Sequence, residues 1–101
     1  MSNVKLMKLA SGEEILAEVV KSPDLVSDNY TLKNCIRVVY YDNGKGMATG
    51  FAPFMPLSAE DTFTLKGSIV VASVTPKDEV LAEYTRLFSG IVIPSNSGIV
   101  V

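Results

Sequence analysis

Short apolar segments follow one another closely over residues 4–74, and turn residues separate them. "VKLMKL" at residues 4–9 and "EILAEVV" at residues 14–20 flank a Ser11-Gly12 turn signal, and "DNGKG" at residues 42–46 is a strong hairpin signal. "EILAEVV" alternates only in part, as in a strand that is bent or buried on both faces. Short strands at such close spacing predict a small, strongly bent barrel in a mainly β chain.

The clearest alternation between the two faces of a strand lies in residues 30–41. Because successive side chains of a strand point to opposite faces, one predicted face carries Tyr30, Leu32, Asn34, Ile36, Val38 and Tyr40. Asn34 is the polar exception on that face, and a buried amide without partners costs about 1–3 kcal/mol. We therefore expect Asn34 either to bond the backbone of a nearby loop or to contact a ligand.

Two prolines mark the following segment, "MATGFAPFMPLS" at residues 47–58. Neither Pro53 nor Pro56 can donate a hydrogen bond to a strand ladder, so the segment is predicted to lie at a sheet edge or to be bulged. An exposed edge strand pairs readily with another chain and therefore needs a cover.

The segment "TLKGSIVVASV" at residues 64–74 predicts a strand pair or one sharply bent strand, broken at Gly67. The Lys66-Gly67 step has two interpretations. It is either a bend with a solvated cation, or it places a cation and a bare backbone beside a ligand. Residues 69–74 are apolar on both faces, which is typical of a strand that a partner subunit covers.

The periodicity changes after the last predicted strand. Thr75 is a candidate N-cap, Pro76 suits the first helical position, and Ser89-Gly90 is a stop signal, so a helix is predicted over about 76–89. One helical stripe carries Val80, Leu81, Tyr84, Leu87 and Phe88. The apolar tail, residues 90–101, is expected to dock as an extra strand rather than to be disordered. We expect one domain over 1–101, with the barrel at about 4–75.

Composition excludes several classes of function. With no histidine and a single cysteine, Cys35, the chain lacks the residues for a zinc site or for an activated Ser or Cys nucleophile, so we expect no enzyme, metal or cofactor. A net charge of −2 excludes a generally basic, phosphate-binding surface. No apolar run approaches the ~20 residues of a membrane span, and no signal peptide is apparent, so a cytoplasmic location is expected.

Two segments resemble the signature motifs of the Sm and Sm-like (LSm) family. "LASGEEILAEV" (residues 9–19) with "TLKNCIRV" (residues 31–38) is similar to the first Sm motif, and "TLKGSIVVASV" is similar to the second. The resemblance implies a five-stranded, SH3-like barrel that assembles into a homo-oligomeric ring of roughly five to seven subunits. The nearest relatives are expected among Sm-like proteins of tailed phages, including cyanophages, which would place the protein in the host cytoplasm.

The resemblance also implies a site. Sm-like rings hold RNA bases in the central hole, and the matching positions are Asn34, Lys66, Gly67, Ser68, Tyr30 and Leu32. Lys66 replaces an arginine of the family motif, and Leu32 replaces a base-stacking residue. The resemblance therefore supports the barrel and the ring more strongly than it supports the nucleotide pocket. The expected subunit interface comprises Phe51, Phe54, Met55, Ile69, Val70, Val71 and Val74.

Two functions stay open from the sequence. The first is a ring that binds single-stranded RNA through its pore, where one Lys66 per subunit would form a circle of charge. The alternative is a homo-oligomeric scaffold or protein-interaction module without nucleic acid, which the acidic charge favours.

Overall fold

A computed structural model describes residues 3–88, so the tail and the Ser89-Gly90 stop signal lie outside the described residues. Six strands, a short 3-10 turn and one helix follow one another in the chain. They are β1 (Val4–Leu9), β2 (Glu14–Lys21), β3 (Asn29–Asp42), β4 (Met47–Pro53), β5 (Thr62–Lys66), the turn Gly67–Ile69, β6 (Val70–Val74) and α1 (Asp78–Phe88). The predicted mainly β fold with a C-terminal helix is confirmed.

All strand pairs are antiparallel, and the sheet has the order β4-β3-β2-β1-β6. The long strand β3 serves two partners: its residues 29–33 pair with β5, whereas its residues 36–42 pair with β4. Because one strand changes partner halfway along its length, the sheet bends strongly. The break at Gly67 is confirmed as a turn between two strands.

Apolar side chains pack on both faces of the sheet. The inner cluster contains Ile15, Ala17 and Val19 of β2 together with residues of β1, β3 and β5. The opposite face carries Leu16, which packs with Tyr84 of the helix. The sequence indicated a strand bent or buried on both faces for "EILAEVV", and β2 is buried on both.

The helix begins at Asp78, two residues later than predicted. The amide of Leu81 donates to the carbonyl of Lys77, so the first helical hydrogen bond leaves Thr75 outside the helix. Of the predicted stripe, Tyr84 is fully buried, while Leu87 remains exposed. In residues 3–88, no helix is long and apolar enough to span a bilayer.

The predicted alternation of β3 is wrong beyond Lys33. Leu16 pairs with Ile36 but Glu18 pairs with Lys33, so Asn34 and Cys35 together face a single residue of β2. This bulge adds one residue to the strand, and the facing of every later side chain shifts. Cys35, predicted on the opposite face from Leu32, therefore packs against the same inner cluster as Leu32.

Candidate ligand-binding turn and assembly edges

The turn at Gly67 is joined to the loop between β2 and β3. Lys66 ends β5 opposite Asn29, and the amide of Gly67 donates to the carbonyl of Asp28 at 2.7 Å. A Cβ atom on Gly67 would lie 2.7 Å from that carbonyl oxygen and 3.2 Å from Cγ of Pro23. Glycine is needed at this position because the loop backbone approaches too closely for any side chain.

The charges around this turn are balanced. Lys66 is exposed. The carboxylate of Asp28 lies against Gly67, because a Cβ atom added to Gly67 would be 2.9 Å from Oδ1 of Asp28. Asp24 accepts hydrogen bonds from the amides of Val26 and Ser27 at 2.8 and 2.9 Å, which lower the pKa of its carboxyl. The loop that covers the turn is thus acidic, and each subunit presents both signs of charge.

Asn34 lies at the other end of the β3–β5 ladder. Its main-chain N–H donates to the carbonyl of Asp61, and its main-chain carbonyl accepts from the Tyr84 hydroxyl at 2.6 Å. The backbone of Asn34 has a φ of 54°, a left-handed conformation that asparagine tolerates better than most residues. The bond to a loop backbone that we expected of the Asn34 side chain is made by its main chain instead, and the residue is only half-buried.

The surroundings of Asn34 are acidic. A small cavity of about 140 Å³ beside it is lined by Ser58, Glu60 and Asp61 as well as by aromatic side chains. Such a cavity attracts cations or hydrogen-bond donors more readily than phosphate groups.

The residues that the resemblance assigned to RNA are not brought together within one subunit. Lys66 pairs with Asn29, five residues before Asn34, which places the two about 15 Å apart along β3. Leu32 is fully buried in the inner cluster, and Tyr30 packs against that cluster. Within a subunit, Lys66, Gly67 and Ser68 form one group near Tyr30, and Asn34 belongs to another.

Three strands have an edge that pairs with no described strand: β5, which pairs only with β3, and the strands β4 and β6, which lie at opposite ends of the strand order. β4 pairs only with β3, and β6 pairs only with β1. Charged residues usually protect an exposed strand edge from pairing with another chain. Neither Met47–Pro53 nor Val70–Val74 contains one. The predicted edge position of the proline-containing segment is confirmed for β4; Pro56 lies in the loop that follows.

The seven expected interface residues divide into two groups. Val71 is 68% exposed and Val74 51% exposed, and Ile69 and Met55 are also exposed large hydrophobics. Phe51, Phe54 and Val70 pack largely within their own subunit, and the Phe54 ring stacks on Phe63 with centroids 5.7 Å apart. Only the first group presents a free apolar surface.

The sequence offered no signal for three contacts that shape these regions. Asp28 and Pro23 meet Gly67, and Tyr84 meets Asn34, across separations of tens of residues. The sequence assigns no role to Asp28, and it identifies Tyr84 only as a member of the helical stripe. In residues 3–88, no group of three or more His, Cys, Asp or Glu side chains could hold a metal ion.

A strongly bent antiparallel sheet of six strands, with one helix packed on its outer face, defines a small β-barrel module. The family model described as Sm_like domain matches residues 6–85, most of the chain. The chain therefore belongs to the Sm_like domain family. A comparison with the curated proteins finds no match.

Proposed function

We propose that the protein is a non-enzymatic, homo-oligomeric ring module in which β4 of one subunit pairs with β6 of the next. The observation that carries this proposal is the strand order, which leaves these two strands with open edges at opposite ends of one sheet. Because the two edges are different surfaces, their pairing is head-to-tail, and such contacts close into a ring when the rotation permits.

The chemistry of the edges supports the same assembly. Both strands lack charge, and Val71 and Val74 expose apolar surface on β6. Pairing would satisfy the open backbone groups of both edges and remove this surface from water.

Light scattering at micromolar protein tests the assembly. The wild type is expected to have a mass several times the 10.9 kDa of one chain, and Val71→Asp is expected to shift it toward a single subunit. Leu25→Asp is the matched control, because Leu25 is fully exposed on the loop between β2 and β3 and lies on neither edge strand. A clean monomer mass for the folded wild type would contradict the proposal.

We further propose that the ring binds single-stranded RNA at the turn of Lys66, Gly67 and Ser68. This turn is exposed at Lys66 and Ser68, it joins β5 to β6, and the family resemblance assigns it to the pore. Repetition of Lys66 around a ring would concentrate positive charge that a single acidic subunit lacks. A tailed-phage source and action in the host cytoplasm remain part of this proposal.

Fluorescence anisotropy with labelled U-rich and A-rich RNA, at low and high salt, tests the ligand. Binding should weaken as salt rises, and Lys66→Ala should reduce both the affinity and the salt dependence. Lys45→Ala, in the hairpin between β3 and β4, removes the same charge elsewhere and should change binding little. Absence of binding at low salt by an intact oligomer would exclude RNA as the ligand.

The second candidate function is a ring-shaped scaffold without nucleic acid. It is favoured by the acidic loop that lies against Gly67 and by the burial of Leu32, which leaves no stacking surface at that position. An oligomer of the expected mass that binds neither RNA would support this candidate while leaving the assembly proposal intact.

A further inference from the structure

The hairpin between β3 and β4 contains an asparagine that is followed directly by a glycine. These residues are Asn43 and Gly44, and no other asparagine of the sequence precedes a glycine. The pairing has a chemical consequence, because the backbone nitrogen of the following residue can attack the side-chain carbonyl carbon of asparagine and close a ring. A side chain on that following residue hinders the approach, and glycine has none.

The hairpin loop leaves this pair of residues open to solvent. Asp42 pairs with Met47 in the last rung of the ladder between β3 and β4, so residues 43–46 lie beyond the sheet. All four of these residues are exposed. Gly44 has a φ of 91° and Gly46 a φ of 132°, and a Cβ atom on either would meet no atom within 4 Å. Water therefore has access to the Asn43–Gly44 peptide.

Two hydrogen bonds engage the atoms that would react. The N–H of Gly44 donates to Oδ1 of Asp42 at 2.9 Å, which places a carboxylate where it can accept the proton of the attacking nitrogen. The N–H of Lys45 donates to Oδ1 of Asn43 at 2.9 Å. This bond polarises the side-chain carbonyl and stabilises the negative charge that the oxygen acquires during attack. The loop thus holds a nucleophile beside a base and an electrophile beside an oxyanion donor.

We propose that Asn43 is a site of self-catalysed deamidation, in which the backbone nitrogen of Gly44 attacks Cγ of the Asn43 side chain. The N–Cγ bond forms as the proton of Gly44 passes to the Asp42 carboxylate. The Cγ–Nδ2 bond then breaks, and Asp42 returns the proton to the leaving nitrogen, which departs as ammonia. Water opens the resulting succinimide at either carbonyl and leaves aspartate or isoaspartate, without any oxidant or reductant.

The product differs from the parent protein in charge and in backbone length. The new carboxylate adds one negative charge to a chain whose net charge is −2. The charge lies just before β4, an edge strand whose residues Met47–Pro53 carry none. Isoaspartate also inserts a methylene group into the main chain of the hairpin, where the loop sets the register of β3 and β4. The reaction therefore alters the loop at the start of an edge strand.

Incubation of the full chain at neutral pH tests the proposal. Ion-exchange chromatography and intact-protein mass spectrometry follow the gain of charge and mass, and peptide mapping is expected to locate the change at Asn43. Gly44→Ala should slow the reaction by about tenfold or more, because its Cβ displaces the attacking nitrogen. Gly46→Ala is the matched control: it adds the same methyl group to the same loop, also at a positive φ, and should leave the rate unchanged.

A second comparison tests the part played by the fold. Asp42→Ala removes the base but keeps the Asn43–Gly44 pair, and should slow the reaction by about tenfold or more. Glu60→Ala removes a carboxylate from another exposed loop and should have no effect. The folded wild type is expected to react faster than the same chain unfolded in guanidinium chloride. Slower reaction of the folded chain, or equal rates within either pair of variants, would overturn the proposal.

Discussion

The hydroxyl group of Tyr84 joins the helix to the bulge of β3, and Tyr84→Phe removes only that group. Tyr84 is 0% exposed and donates to the carbonyl of Asn34 at 2.6 Å. The ring of Tyr84 also contacts Phe88, with centroids 4.8 Å apart, and phenylalanine preserves that contact. The substitution thus separates the hydrogen bonding of the hydroxyl, which also reaches the carbonyl of Lys33 at 3.4 Å, from the packing around the ring.

The expected loss in the free energy of unfolding is about 1–2 kcal/mol. Removing one partner of a buried hydrogen bond costs about 1–3 kcal/mol, and a carbonyl tolerates a missing donor better than an amide tolerates a missing acceptor. For a domain of this size, a loss of 1 kcal/mol lowers the melting temperature by roughly 4–8 °C. Tyr84→Ala also removes the ring and should cost about 3–5 kcal/mol.

Urea unfolding followed by circular dichroism measures this loss. The protein concentration must be held constant, because assembly makes the apparent stability concentration-dependent. Tyr41→Phe is the control, since Tyr41 is half-exposed, and it should change stability by less than about 0.5 kcal/mol. Equal stabilities of the Tyr84→Phe and Tyr41→Phe proteins would refute the role assigned to the hydrogen bond.

The same residue predicts a dependence on alkaline pH. Burial, reinforced by the nearby carboxylate of Glu18, raises the pKa of Tyr84 above its usual value. Above about pH 10 the unfolded chain loses this proton while the folded chain keeps it, so stability falls by about 1.4 kcal/mol per pH unit. The Tyr84→Phe protein should lack this contribution to the slope, which urea titrations at successive pH values would detect.

Three further predictions follow from the bulge and the turn. Gly67→Ala should destabilise the fold by about 1–3 kcal/mol, because its Cβ would meet the Asp28 carbonyl at 2.7 Å, whereas Gly50→Ala makes only ordinary contacts at 3.4 Å or more; urea unfolding of both variants compares them. Asn34→Ala should cost about 1–2 kcal/mol and Asn34→Gly less, since a φ of 54° penalises a Cβ; the opposite order would contradict a backbone role. Burial raises the pKa of Cys35 to about 12, so stability should fall as pH rises from about 9 towards 12, and Cys35→Ala should flatten that slope in urea titrations.

Much of the fold could be predicted because its signals are local. The hairpin at residues 42–46 joins β3 to β4, and the stripe containing Tyr84 predicted the helix to within two residues at its start. The absence of a backbone donor in Pro53 and Pro56 predicted an edge strand or a bulge, and β4 lies at an edge. In each case the physical cause lies within a few residues of the feature it produces.

The arrangement of the candidate site could be predicted from the sequence only in part. The motif resemblance grouped Asn34 with Lys66 and Gly67, but the strand register separates them along β3. Register depends on which residues of two distant strands face each other, and β5 pairs with residues 29–33 of β3. A bulge at Asn34 separately shifts the pairing of β3 with β2. A pattern with a period of two carries no mark of where such an extra residue will be inserted.

The sequence by itself determined the elements, their order and the bend at Gly67, because backbone freedom and hydrophobic periodicity are properties of neighbouring residues. Only the tertiary structure decided why Gly67 must be glycine, which face Cys35 occupies and what Asn34 does. Those answers depend on Asp28, on the inner cluster and on the Tyr84 hydroxyl, the last of which acts from 50 positions away along the chain. Contacts between such distant residues exist only once the sheet has bent and the helix has packed on its outer face.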